Sequence, residues 1–202
     1  MKTCVVDYKA GNLRSVQTAL EFLKADFIVT ADPDVVAGAD KLIFPGVGEA
    51  RAAMSVLEET GLGKAIQEFH KTGKPLLGIC LGSQIILESS EESDTLCLGL
   101  IPGKARLFPS TPGFKIPHMG WNQVSPVREH EVMKGVPTNA SFYFVHSYYP
   151  EPGPDAVLAK SEYMISFPAA LAKDNLVAFQ FHPEKSGKYG LALLENFLAW
   201  KA

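Results

Sequence analysis

Apolar residues recur along the chain in two rhythms, and the change between them divides it. Residues 3–6 form a short buried run, and residues 13–24 place Leu13, Val16, Leu20 and Leu23 on one helical face behind Asn12, which is suited to N-cap that helix. Short apolar runs at 27–29 and 42–44, separated by Asp32-Pro33-Asp34, predict further strands. Helical spacing at 50–60 and 62–72 precedes an apolar run at 76–79, after which Ile85, Ile86 and Leu87 open another predicted helix. Strand and helix alternate as in an α/β sheet. From residue 104 the rhythm shortens: strands are predicted at 104–108, 120–124, 142–145, 157–161, 169–173 and 176–181, and a largely apolar helix at 189–200 closes the chain. The expected fold is α/β, a mainly parallel sheet flanked by helices, with an antiparallel region added in the second half.

The chemistry concentrates at the end of the run 76–79. Gly78-Ile79-Cys80-Leu81-Gly82 is the thiol counterpart of a nucleophile elbow, a tight turn with no room for side chains beside the nucleophile. The turn aims the sulfur outward at a helix N-terminus, where free N–H groups and the positive dipole end favour thiolate over thiol. In such sheets ligands collect at the C-terminal ends of the strands. Pro45-Gly46-Val47-Gly48, after the third strand, is expected on the same rim.

Composition narrows the setting. The 202 residues suit a single domain spanning 1–202, and a net charge of -3 with 20 % charged residues implies no nucleic-acid partner. Cys4, Cys80 and Cys97 have neither disulfide nor metal-site spacing, so a reducing compartment, no metal and no cofactor are expected. An acid at Asp7 interrupts any signal-like apolar run, and no stretch reaches membrane-spanning length, which makes the cytoplasm the expected location.

A thiolate nucleophile needs a proton carrier, and the carrier needs an orienting partner. Of the five histidines, His182 follows the last buried run, with Glu184 two residues on and Pro183 between. In an extended segment residues i and i+2 share a side, so Cys80, His182 and Glu184 are expected to form a triad. His70 and His130 read as solvated, His118 and His146 as pocket-lining candidates at aromatic-rich strand edges, Cys4 as core and Cys97 as structural. The polar run 88–94 reads as a solvated helix end.

Together, Gly-Ile-Cys-Leu-Gly-Ser-Gln around Cys80 and His-Pro-Glu-Lys-Ser from His182 resemble the class I (triad) glutamine amidotransferases, and the match spans the chain. Asp7-Tyr8 with Gly11-Asn12, the 45–48 loop, Pro117-His118-Met119-Gly120-Trp121-Asn122 and Tyr143-Phe144-Val145-His146-Ser147-Tyr148 are similar to the glutaminase branch that serves imidazole glycerol phosphate synthesis, in histidine biosynthesis. Ser83 departs from the Met expected there, with core repacking as the expected consequence.

The resemblance implies that Cys80 attacks the side-chain amide of L-glutamine while His182 protonates departing ammonia. It also implies oxyanion donors at Val47, Gly48 and Leu81, with the Gly46–Val47 peptide able to turn its N–H away from the site until a partner favours the active orientation. Glutamine recognition is carried over to Gln84, Glu92, Ser147 and Tyr148, although Glu92 by composition alone reads as a solvated charge. Ammonia must stay unprotonated to react, and the resemblance implies a separate (β/α)₈ cyclase subunit as the partner that receives it, with Asn12, Trp121 and Lys185 as candidate contacts. Trp121 is equally readable as core. The rival readings are another amidotransferase subunit, a free-standing cysteine hydrolase and a glutamine-sensing module.

Overall fold

The computed structural model describes residues 2–9 and 13–202, which leaves the expected cap and contact at Asn12 outside the described residues. In chain order the first half runs β1 (Thr3–Val6), α1 (Leu13–Phe22), β2 (Phe27–Thr30), α2 (Pro33–Ala37), β3 (Lys41–Gly46), α3 (Ala50–Glu59), α4 (Leu62–Lys71), β4 (Leu76–Cys80) and α5 (Leu81–Ile85). The second half runs β5 (Ser89–Ser90), β6 (Thr95–Leu96), β7 (Gly103–Leu107), β8 (His118–Gln123), β9 (Ser125–Pro126), β10 (Ser141–His146), β11 (Tyr148–Pro152), β12 (Val157–Tyr163), β13 (Ile165–Lys173), β14 (Leu176–Phe179) and α6 (Gly187–Ala199).

Eight strands make the main sheet in the order β2-β1-β3-β4-β14-β13-β12-β9. Pairing is parallel from β2 through β14 and antiparallel beyond. Strand alternation sends Val5, Ile43, Leu77 and Ile79 into one core with α1 and α6, and Cys4, Val6, Leu42, Phe44 and Leu76 into the other with α2, α3 and α4. Two buried faces explain why these strands read as continuous apolar runs. Lys41, buried on β3, donates its ammonium to the carbonyls of Phe197 and Trp200, so a cation closes the C-terminal end of α6.

Several expectations change. Asp32-Pro33-Asp34, read only as separating two strands, opens α2: Asp32 accepts from the Asp34 N–H at 2.9 Å, and Pro33 takes the first helical position. The helix expected to begin at Ile85 instead starts at Leu81 and is over at Ile85. After it, residues 88–94 are no solvated helix end, because Glu88 and Glu91 donate backbone N–H groups to Gly103 and Ala105 and lock β5 beside β7. A strand absent from the sequence reading, β11, pairs antiparallel with β7 despite its two prolines. Finally, β3 includes Pro45 and Gly46, so the loop after it begins two residues later than expected.

Candidate active site

Register decides what meets at the rim. Gly46 pairs with Cys80 across β3 and β4, and Ile79 pairs with Phe179 across β4 and β14. The segments leaving these three strands therefore emerge side by side, bringing the 46–48 loop, the Cys80 turn and His182 together.

Cys80 carries φ 53° and ψ −109°, a left-handed backbone that is costly for a side-chain-bearing residue. Its neighbours explain how the turn closes. A Cβ on Gly82 would overlap the carbonyl oxygen of Phe44, and one on Gly78 would lie 3.0 Å from the Gly82 oxygen. The elbow expected from the glycine spacing is present. Ser83, beyond a repacking role, donates its hydroxyl to the Cys80 carbonyl at 2.7 Å and is fully buried.

His182 Nδ1 lies 2.7 Å from Glu184 Oε1. The sharing of a side by residues i and i+2 comes from a different geometry than expected, since Pro183–Lys185 is a 3-10 turn rather than an extended segment. His182 is anchored by its N–H to the Tyr143 carbonyl at 2.9 Å, and its own carbonyl accepts from the Ser186 hydroxyl at 2.6 Å. Burial pushes the imidazole's pKa down, but hydrogen bonding and charge at Cys80 and Glu184 outweigh it and raise the value to about 9. The imidazole thus holds a proton beside the sulfur at neutral pH.

A cavity of about 300 Å³ opens at Cys80, lined by Val47, Gly48, Leu81, Gln84, Glu92 and the stretch Val145 to Tyr148. Glu92 is not merely solvated: it faces this cavity, half-buried, and accepts from the Ala50 N–H at 2.7 Å. Burial raises its pKa against the opposing Ala50 hydrogen bond. Gln84 commits both amide hydrogens, to the Tyr148 carbonyl and to Gln180 Oε1, each at 2.9 Å, so what it offers a ligand is its oxygen. The Tyr148 carbonyl also accepts from His146 Nδ1 at 2.7 Å and is already engaged. Ser147 lines the same cavity.

The sequence reading missed one part of this site. Gln180, the polar exception in the run 176–181, places its Nε2 3.9 Å from Cys80 Sγ. His118 and His146, read at strand edges as pocket-lining candidates, are buried and joined at 2.9 Å, and His146 lines the cavity. A carbonyl can only accept, so His146 Nδ1 carries the proton toward Tyr148, His146 Nε2 accepts from His118 Nδ1, and His118 Nε2 faces the Asn122 amide at 3.3 Å. Burial keeps both rings neutral, with pKa values lowered to about 4 and about 3. His130 is also not simply solvated: it accepts the Val132 N–H and packs on Trp200.

Trp121 is 60 % exposed on β8, which settles its open choice of core or surface. Met119, two residues away on the same strand face, is exposed as well, as are Phe114 and Ile116 before the strand. Lys185 is exposed on the turn beside Glu184. No helix among the described residues is long and apolar enough to cross a membrane.

A buried cysteine on a strained strand-to-helix turn, with a carboxylate-held imidazole at the edge of the same parallel sheet, defines an α/β enzyme of the cysteine-triad class. Residues 5–200 match the family model for glutamine amidotransferase class-I, and the chain belongs to that family. It is 50 % identical, over 97 % of its length and 95 % of the relative's, to imidazole glycerol phosphate synthase subunit HisH of Nitratidesulfovibrio vulgaris. The subunit of the same description from Methanothermobacter thermautotrophicus is 47 % identical, with 96 % of each chain covered. Among solved structures, a glutamine amidotransferase superposes with a TM-score of 0.75 at 18 % identity, covering 97 % of this chain and 98 % of the other.

Proposed function

We propose that this chain, acting as one domain over 1–202, is the glutamine-hydrolysing subunit of an imidazole glycerol phosphate synthase, working in the cytoplasm. The observation that carries the chemistry is the His182 ring fixed by Glu184 at 2.7 Å on the same sheet rim as the strained Cys80, an arrangement that also raises the imidazole pKa. The Cys80 thiolate adds to the side-chain carboxamide carbon of glutamine. The carbonyl π bond opens to an oxyanion, which takes the Leu81 N–H and, once their loop is turned inward, those of Val47 and Gly48. His182 then gives its proton to the departing nitrogen, the C–N bond breaks, and ammonia leaves a glutamyl thioester. Neutral His182 next takes a proton from water, whose oxygen attacks the thioester, and glutamate departs as the thiolate reforms.

The half-buried Glu92 supplies the negative charge for the substrate's ammonium, and Gln84 Oε1 with the backbone at Ser147 and Tyr148 completes the seat. Ammonia is passed to a separate (β/α)₈ cyclase subunit that docks on the face carrying Trp121 and Lys185, with Asn12 as a further contact. An exposed Trp flanked by Met119 is the anchor such a contact needs.

The test measures glutamine- and ammonia-dependent synthesis by the reconstituted pair carrying Cys80→Ala. Glutamine-dependent turnover is expected to vanish while ammonia-dependent turnover stays near wild type. Loss of both would contradict a division of labour between the subunits.

A further inference from the structure

Tyr8 ends the segment that leaves β1, and its ring lies 5.1 Å from Phe44 in the core. The side chain is almost wholly buried, and its hydroxyl has no hydrogen-bond partner among the described residues. Buried polar atoms left unpaired are rare, and each one calls for a reason. This hydroxyl touches a particular place. A Cβ built on Gly46 would overlap it, and the same point lies 3.2 Å from Leu81 Cβ. The phenol therefore rests against Gly46 at the junction with the nucleophile turn, where Cys80 joins burial in keeping it protonated.

The ladder between β3 and β4 says which way the Gly46 carbonyl faces. Leu42 donates its N–H to the Pro75 carbonyl at 3.0 Å, and the pairing continues without a break from Leu42 opposite Leu76 to Gly46 opposite Cys80. In a parallel ladder every second residue turns both backbone groups toward the same neighbour, so Leu42, Phe44 and Gly46 all face β4. The Gly46 carbonyl is thereby directed at the next amide after Cys80, that of Leu81. An acceptor in that position competes with any oxyanion for the Leu81 N–H. To free that donor and bring the Val47 N–H inward, the Gly46–Val47 peptide must turn over. Its carbonyl then swings away from β4, toward the side of β3 where β1 lies and from which Tyr8 comes.

We propose that Tyr8 is a positioning residue whose hydroxyl captures the Gly46 carbonyl when the Gly46–Val47 peptide turns, holding the oxyanion site open. Among the described residues the hydroxyl is unpaired in the present conformation because its partner exists only in the turned one. The absence of a side chain at Gly46 is part of the same device: it leaves the space the phenol occupies and makes the peptide rotation sterically cheap. Tyr8 does not touch substrate. It acts by biasing a two-state peptide, and this rests on the reading of Leu81 and Val47 as oxyanion donors.

Tyr8→Phe tests it, because the ring stays and only the hydroxyl goes. Steady-state glutamine hydrolysis is measured on the purified chain and on its complex with the cyclase subunit, together with inhibition by L-glutamate γ-semialdehyde. The thiol adds to that aldehyde's carbon, and the oxygen so formed occupies the oxyanion position. The expected result is a kcat lowered about 3- to 10-fold, the worth of one net hydrogen bond, with KM for glutamine unchanged and the aldehyde inhibition constant raised by the same factor. Thermal stability is expected to stay level or rise, since the resting state loses an orphaned hydroxyl. Unchanged kcat and unchanged aldehyde inhibition would overturn the proposal and leave Tyr8 as core. A wild-type enzyme that binds the aldehyde no tighter than glutamine would sink the oxyanion reading itself, and Tyr8's role with it.

Discussion

The Nδ1 atom of His182 and the Oε1 atom of Glu184 lie 2.7 Å apart, with only 2 % and 4 % of the two side chains exposed. Burial alone would lower the imidazole's pKa, yet Cys80 and Glu184 hold it at about 9. The folded state thus binds this proton more tightly than the unfolded chain does, whose histidine titrates near 6.5. The resulting stability is fully present below about pH 6.5 and fades as pH rises toward 9, on the order of 3 kcal/mol in all. Glu184→Gln is expected to lower the His182 midpoint and shrink the loss of stability between pH 6 and 9.5. NMR titration with denaturant unfolding at the two pH values checks this, and an unmoved midpoint refutes it.

The glycines around the site are expected to respond to substitution for opposite reasons. Gly82→Ala drives a methyl into the backbone oxygen of Phe44, so the protein should lose several kcal/mol or fail to accumulate folded. Gly48 has nothing within 4 Å of its missing side chain but sits at φ 105°. Gly48→Ala should therefore fold with a loss of about 1–3 kcal/mol from backbone strain alone, while its glutaminase kcat falls more than its stability suggests. Thermal melts paired with kinetics separate the two, and a fully stable Gly82→Ala protein would refute the packing account of the elbow.

Gln180 bridges Gln84, proposed above to help seat the substrate, and the sulfur of Cys80. Replacing it with leucine leaves a buried Gln84 N–H unpaired, which should cost about 1–3 kcal/mol of stability. KM for glutamine should also rise, because Gln84 loses the contact that fixes its rotamer. Urea unfolding and a substrate titration measure both effects. Equal KM in Gln180→Leu and wild type would mean that the Tyr148 carbonyl suffices to hold Gln84.

Trp121 projects from β8 with most of its surface in solvent and only a distant edge contact to Tyr143. Trp121→Ala should leave the melting temperature within a degree or two and weaken cyclase binding by about 2 kcal/mol or more, roughly 30-fold in Kd. Calorimetric titration of the two subunits reads this directly. An unchanged Kd would move the docking face elsewhere.

Much of this site is legible in the sequence because its parts are local. The elbow is a five-residue device: Gly78 and Gly82 flank Cys80 because the turn leaves no room for their side chains, and that need is visible as spacing. His182 and Glu184 stand two residues apart, so any compact turn brings them together. By contrast, the helix after Cys80 was misplaced because Ile85, Ile86 and Leu87 look like a helical start, whereas Leu98, Leu100 and Ile101 return to donate N–H groups to the carbonyls of Ile85 and Ile86 and end it there. Strand β11 was hidden by prolines at 150 and 152, which it tolerates as the edge strand of its sheet, paired on one side with β7.

By itself the sequence determined the alternation of strand and helix, the elbow at Cys80 and the pairing of His182 with Glu184, since these follow from residue period and short-range sterics. Only the tertiary structure decided which distant groups complete the site. Glu92 faces the cavity instead of solvent because β5 docks on β7, and Trp121 is surface because β8 pairs with β10 alone. Tyr8 meets Gly46 across 38 residues of chain, and Gln180 meets Cys80 across 100, because parallel register aligns the ends of β1, β3, β4 and β14. Register is a property of paired strands, and no single strand carries it.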